Sequence, residues 1–477
     1  MDKRCFWGLI LGLIVLAPGD IKMLYADDTP SLQPYVKVDV KRKPSSKEWV
    51  QYDTRTIDML AGFEPYQERI KLDTYGGRDD RQANATGFFY PKKVDDRWWL
   101  IDPEGNLFIH TAIVGVYTGL SDYSREITLK HFGSEQKWAQ FSADLLTDYG
   151  FNGCGGWSQA HLLRETPKPP VYTLSWGFMA DFAGYMKLAW QVSGHKGYPD
   201  QVWPVFHPDF ESFCDTYAKK LAATKDDPYC IGHFSDNELQ TKEDLLDRTL
   251  KLDLEKFPKM KYNVKEAKRW LSERKGRSAG LADINDQDRV EFIGHMFDHY
   301  FKLTTAAIRK YDPNHLCLGS RFHGTATRLP VVFRAAGKYL DVVSVNYYHA
   351  WAPDPERMAM WVKESGKPFM ITEWYAKGED SGLANTSGAG WLVKTQKDRA
   401  LFYQNFSLGL MESKNCVGWH WFKCVDNNPN DTSVDPSNRD SNKGIVTFDY
   451  KPYTELLDSM KRLNDNVYPL IDYFDSQ

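Results

Sequence analysis

Two glutamates stand at the tails of short apolar segments. Glu238 closes Ile231-Gly-His-Phe-Ser-Asp-Asn-Glu, and Glu373 closes the run Phe369-Met-Ile-Thr-Glu. A carboxylate at the carboxyl end of a buried strand sits where a (β/α)₈ barrel keeps its reactive groups. Two such groups on different strands can cleave a glycosidic bond: one protonates the leaving oxygen while the other attacks the sugar or activates water. In that division one carboxyl must carry a proton and the other must stay ionised. Asn237 places an amide beside Glu238, within reach of the sugar hydroxyl next to the reacting carbon.

The elements that must position these groups alternate along the chain. Strand patterns are predicted over Leu107–Val116, 150–158, Val171–Phe178, Tyr229–Ser235, Leu316–Arg321, Val342–Tyr348, Phe369–Trp374 and Val417–Phe422. Helical periodicity falls between them, over Glu135–Tyr149, Phe210–Ala223, Gln396–Glu412 and Tyr453–Asn464. Eight strands alternating with helices imply an α/β fold, a (β/α)₈ TIM barrel, with the glutamates on the fourth and seventh strands. Residues 240–290 and 375–395 follow those two strands directly. They form long loops on the face carrying the glutamates and are read as cleft walls or lids.

Ahead of the barrel, Asp102-Pro-Glu-Gly places Pro and Gly as a type I turn requires, so a hairpin is expected there. Its tryptophans Trp98 and Trp99 are read as packing. The organisation that follows is a signal peptide over 1–26, an N-terminal extension and hairpin over 27–105, and a catalytic barrel over 106–477 with an insertion at 240–290. Lys3 and Arg4 precede an apolar run from Cys5 to Ala17, too short to span a bilayer, which points to export to the periplasm or beyond.

The formal charge is −4 with no basic block, which argues against nucleic acid and anionic membrane as partners. Six cysteines remain after the signal, at 154, 214, 230, 317, 416 and 424, without C-x-x-C spacing. Several lie in predicted strands, which suits buried free thiols better than a disulfide framework. No metal site or cofactor is read from the sequence, since no close His/Cys cluster is visible. The Asp/Asn-rich run 426–440 is read as a solvated loop rather than a calcium site. Oligomeric state is not legible.

Asn-Glu ending the fourth strand and Glu ending the seventh resemble glycoside hydrolase clan A, the retaining (β/α)₈ glycosidases. Within it, 226–239 (Asp-Asp-Pro-Tyr-Cys-Ile-Gly-His-Phe-Ser-Asp-Asn-Glu-Leu) and 371–378 (Ile-Thr-Glu-Trp-Tyr-Ala-Lys-Gly) are similar to the family-fifty β-agarases, as are 97–108 and 417–423. The resemblance implies a retaining hydrolase of β-linked, galactose-containing polysaccharide or oligosaccharide, with Glu238 as acid/base and Glu373 as nucleophile. It also implies that Asn237 binds sugar and that Tyr347 or Tyr348 orients the nucleophile; strand alternation lets only one face inward. Trp419 and Trp421 share a face and are expected either to form a sugar platform, with His420 turned away, or to pack in the core. Trp157, His323, Trp374 and Lys377 complete the expected substrate-binding set. The chain departs from the clan at the end of the second strand. Where an arginine often holds the nucleophile, it has Cys154-Gly-Gly-Trp157, and Arg321 is the candidate substitute. The alternatives are a barrel cleaving another β-linkage (a β-galactosidase, mannanase or glucanase), a non-catalytic glycan-binding barrel, and a metal-dependent hydrolase.

Overall fold

The computed structural model describes residues 35–65 and 70–477. The expected signal peptide lies outside the described residues. Eight parallel strands form one sheet: β1 (His110–Val114), β2 (Gly153–Cys154), β3 (Val171–Ser175), β4 (Cys230–Phe234), β5 (Leu316–Gly319), β6 (Val343–Asn346), β7 (Phe369–Glu373) and β8 (Cys416–Phe422). Their order is β5-β4-β3-β2-β1-β8-β7-β6. The ends meet at a parallel bridge, Phe322↔Val345, so the sheet curls into a nearly closed, TIM-like barrel. Every residue of β1, β4, β5, β6 and β7 is buried. That explains why these strands read as continuous apolar runs rather than as alternating ones.

The first predicted strand divides in two. Asn106–Phe108 belongs to an antiparallel sheet with Arg78–Gln82, Tyr90–Val94 and Arg97–Ile101, and the barrel begins at His110. The hairpin turn closes through Gly105 N–H to the Asp102 carbonyl at 3.0 Å. Gly105 has φ +96°, a conformation that a side chain would strain. Trp99 is fully buried, as packing requires. This sheet is pinned to the C-terminal helix Val467–Ser476 through Arg97 to Asp475 (2.7 Å) and Arg78 to Asp472 (2.6 Å).

The extension ahead of it forms strands of its own. Val36–Lys41 and Val50–Thr54 pair with each other, and Val40 aligns with Val393 of Trp391–Val393, a strand inside the long loop after β7. Ala376–Gly378 completes this second four-stranded sheet on the mouth of the barrel. The residues 240–290 do not wall the mouth. Their helices Leu245–Leu250 and Lys261–Lys275 pack on the 26-residue helix Asp286–Tyr311 through buried Leu245, Leu246, Leu271 and Phe292. The apolar face that made this insertion look helical is spent on a neighbouring helix. The six cysteines from Cys154 onward are buried free thiols.

Candidate active site

Each reactive group hangs from the carboxyl end of a different strand. The backbone after β4 turns at Glu238, whose φ of +51° is unusual for a residue with a side chain, and its N–H donates to the Ser320 carbonyl at 3.0 Å. Two residues earlier, Asp236 anchors the turn. Its carboxylate accepts from Met179 N–H (2.7 Å), Ala180 N–H (3.0 Å) and the Tyr300 hydroxyl (2.6 Å). Burial pushes the Asp236 carboxyl up to about 7 against those three donors.

Glu373 ends β7 with both oxygens held. Tyr348 donates to Oε2 at 2.5 Å, and Arg321 Nη2 lies 2.9 Å from Oε1. Arg321 is wholly buried, also donates to the Thr372 carbonyl at 2.9 Å, and stacks its guanidinium 4.1 Å from the Trp157 ring centre. Thus Arg321, just after β5, holds Glu373, and Trp157, three residues after β2, is its platform. Gly156 makes room for this, because a Cβ there would meet Ser175 Oγ at 2.4 Å. Burial pushes the Glu373 carboxyl above its ordinary range and Glu238 adds to the rise, while Arg321, Tyr348 and Lys443 pull it down.

Glu238 has different company. Asn346 Nδ2 donates to its Oε1 at 2.8 Å, and the Nδ1 atoms of His195 and His323 stand 3.7 Å from its two oxygens. Asn346 is fixed in turn by Thr372, whose hydroxyl donates to Asn346 Oδ1 at 2.8 Å, and it reaches Asn237 Oδ1 at 3.2 Å. One amide therefore ties the acid, its asparagine neighbour and the strand bearing Glu373 into a single network. Burial lowers His195, so the imidazole beside Glu238 is neutral at neutral pH.

Both glutamates line one cleft of about 820 Å³, together with Asn237, Trp157, His323 and Tyr348. Trp157 is 39% exposed and free to stack on a sugar face. Ser175 Oγ and His323 Nδ1 are buried polar atoms with no hydrogen-bond partner among the described residues, and both residues face the cleft. The walls come from the segment after β3 (Trp176–Lys196), from residues 386–389 of the loop after β7, and from residues 435–443 after β8. Arg42 and Lys43 line it from the N-terminal sheet.

Several expected sugar contacts lie elsewhere. Tyr347 faces outward, accepting from Asp354 N–H at 2.9 Å and packing on Trp361 and Phe406. Trp419 and Trp421 are also outward and fully buried, donating to the Tyr403 hydroxyl (3.3 Å) and the Lys443 carbonyl (3.0 Å). The alternation of β8 has the opposite phase to the one expected. His420 points into the barrel, bonded to His110 at 2.9 Å, because the aromatic face of helix Gln396–Glu412 needs the two indoles. Trp374 stacks 4.5 Å from Phe406 on the same helix. Lys377 is buried and donates to the Asn385 and Ser387 carbonyls at 3.0 Å, so it shapes the cleft loop without lining it.

The run 426–440 is a built wall rather than a solvated loop. Asp426 accepts from Lys443 N–H, Gly444 N–H, Asn442 and Tyr453, and Asp435 accepts from Gly194 N–H at 3.0 Å. The fold also gathers Cys230, His233 and His315, with potential ligand atoms within 4.8 Å of one another, a grouping the sequence did not reveal. The histidines are committed to other partners. Trp176 donates to His233 Nδ1 at 3.0 Å, which leaves the His233 proton on Nε2 facing Asp312 at 2.8 Å. His315 spends its nitrogens on Asp312 and on the Asp227 carbonyl. We read this cluster as a buried polar knot.

No family model matches the chain. The crystal structure of BpGH50 is similar with a TM-score of 0.80 and 31% identity, covering 92% of this chain and 96% of that one. The chain belongs to the GH50 family of glycoside hydrolases. Beta-agarase B of Vibrio sp. (strain JT0107) is 26% identical to this GH50 chain over 494 residues, 83% of the chain and 50% of the relative. The chain thus spans about half the length of the curated relatives it matches. An exo-beta-agarase structure shares the fold, with a TM-score of 0.65 at 20% identity over 86% of this chain and 69% of that one. Among the described residues no helix is long and apolar enough to cross a membrane.

Proposed function

We propose that this GH50 chain is an exported, agarase-like hydrolase that cleaves β-linked, galactose-containing glycans by double displacement. Glu373 is its nucleophile and Glu238 its general acid/base. The observation that carries the reading is the unequal company of the two carboxylates. Glu373 is gripped by a buried guanidinium at 2.9 Å and a phenol at 2.5 Å, donors that favour a carboxylate. Glu238 meets a neutral amide at hydrogen-bond distance and two histidines farther out, and among the described residues no arginine or lysine pins it.

The reaction follows from these positions. With a sugar stacked at Trp157, Glu238 protonates the leaving oxygen while Glu373 attacks the anomeric carbon. Forming the glycosyl ester removes the negative charge from Glu373, so Glu238, having given its proton to the leaving group, stays ionised and can take one from the water that completes hydrolysis. Asn237 is placed to bind the hydroxyl beside the reacting carbon. Ser175 and His323 offer unfilled polar atoms to other hydroxyls of the ring. Related barrels that cleave β-galactosides, β-mannans or β-glucans use the same chemistry; the names of the similar proteins favour the galactan. Proton NMR of the first product released from a panel of β-galactans, β-mannans and β-glucans tests the reading. A β-anomer from galactan is expected. An inverted product or turnover confined to mannan or glucan refutes it.

A further inference from the structure

Beside the nucleophile the cleft holds a cation that the double displacement does not use. Lys443 is 2% exposed, yet it lines the cleft. Its ammonium donates to Asn438 Oδ1 at 2.8 Å and lies 5.0 and 4.9 Å from the ring centres of Tyr375 and Phe422. Among the described residues no carboxylate pairs with it, and the nearby Glu373 is already bound by Arg321 and Tyr348. A buried charge without a counter-ion is costly, and a bound anion would offset that cost. The backbone around Lys443 is firmly fixed: Asp426 accepts its N–H at 2.7 Å, and its carbonyl takes the Trp421 indole and the Lys423 N–H, each at 3.0 Å. Burial pushes the amine down to about 7, a position that a bound anion would reverse. Arg42 and Lys43 line the same cleft and have no carboxylate partner among the described residues; Arg42 instead lies 4.9 Å from the Trp391 ring centre.

We propose that the cleft takes a galactan carrying an anionic substituent, a sulfate or a carboxylate, and that Lys443 is the specificity-determining group that reads it. The inference rests on the hydrolase reading above. Its rival is that Lys443 serves only to hold Glu373 ionised, in which case it does not distinguish charged from neutral sugars.

Calorimetric binding to the full chain carrying Glu373→Gln separates the two. The ligands are a sulfated galactan oligosaccharide, its desulfated counterpart, and a uronic-acid-bearing oligosaccharide of equal length. One anionic ligand is expected to bind at least about tenfold tighter than the desulfated one, as a charge-assisted hydrogen bond provides. That preference shrinks as salt rises from about 0.01 to 0.15 M, and Lys443→Gln removes it. Which anionic ligand wins identifies the substituent. Should Lys443→Gln not fold, the pH dependence decides. The preference weakens as pH rises from about 6 to 10 and the Lys443 ammonium loses its proton. Lys377, pushed down to about 8, points its ammonium at loop carbonyls instead. Equal binding of all three ligands at low salt, a preference that survives Lys443→Gln, or one that is flat across this pH range overturns the proposal. Binding is read in an inactive variant, so a protein that hydrolyses no galactan can still show the preference, and an active galactanase can lack it.

Discussion

Tyr348→Phe deletes one oxygen from the site and changes neither charge nor ring packing. That oxygen donates to Glu373 Oε2 at 2.5 Å. A hydrogen bond to a charged group is worth about 1.5–3 kcal/mol, which corresponds to about ten- to a hundredfold in rate if the bond supports the reactive carboxylate. The sign on pH follows from the same bond. Burial already raises the Glu373 carboxyl, and Tyr348 is one of the groups pulling it down. Removing the phenol raises it further, so more Glu373 is protonated and inert at a given pH. The acid limb of kcat/KM should therefore move to higher pH while the plateau falls. Steady-state kinetics from pH 4 to 8, with thermal melting of both proteins, measures both effects. Tyr347→Phe is the control. Its hydroxyl accepts from Asp354 N–H on the outer side of β6, so it should cost about 1 kcal/mol of stability and leave the acid limb in place. Should Tyr348→Phe keep kcat/KM within about threefold and an unmoved acid limb, the phenol does not tune the nucleophile and the assignment of roles loses its main support.

Glu373→Gln should lower kcat by at least about a thousandfold with the fold retained, since a neutral amide cannot form the glycosyl ester; retained turnover would identify another nucleophile. Asn346→Ala removes the donor to Glu238 at 2.8 Å and the acceptor of Thr372, and should cost about tenfold or more in kcat/KM. A larger change in stability than in rate would make Asn346 merely a packing residue. Far from the cleft, Asp102 Oδ2 is buried without a donor, and burial plus the neighbouring Asp73 carboxylate push Asp102 up to about 8. The native state therefore holds a proton that the unfolded chain releases above its ordinary range. Stability should fall as pH rises from about 4 toward 8 and then level off. Asp102→Asn mimics the protonated form and should flatten that slope in melting curves. An unchanged slope would show that the pair does not share a proton.

The barrel was legible because its strands are buried on both faces and its helices on one, so their periods differ along the chain. Both glutamates, Tyr348 and Arg321 could be found because strand ends are where a barrel places chemistry, and strand ends are local in sequence. Orientation was harder to read. For β8 the competing faces carry Trp419 and Trp421 on one side and His420 on the other, and nothing local says that helix Gln396–Glu412 will claim the indoles. Asn346, His195 and Lys443 escaped notice for another reason. Asn346 precedes the tyrosine pair and reads as an ordinary strand residue; its worth comes from Thr372 and Glu238, 26 and 108 positions away. Lys443 sits in a polar run whose burial depends on Asp426 and on rings from two other segments. The N-terminal sheet was missed because, beyond its local partner Val50–Thr54, Val36–Lys41 relies on a strand some 350 residues later, in a loop that itself lacks a strand pattern.

That late pairing ties the opening of the chain to the catalytic mouth. Trimming residues 35–54 would spare the eight-stranded core and the hairpin sheet, yet it would strip Trp391–Val393 of its neighbour and slacken the ribbon presenting residues 386–389. Such a shortened enzyme should still fold and still own both glutamates while gripping sugar poorly. Substitutions within residues 35–54 therefore reach the cleft wall without touching either glutamate.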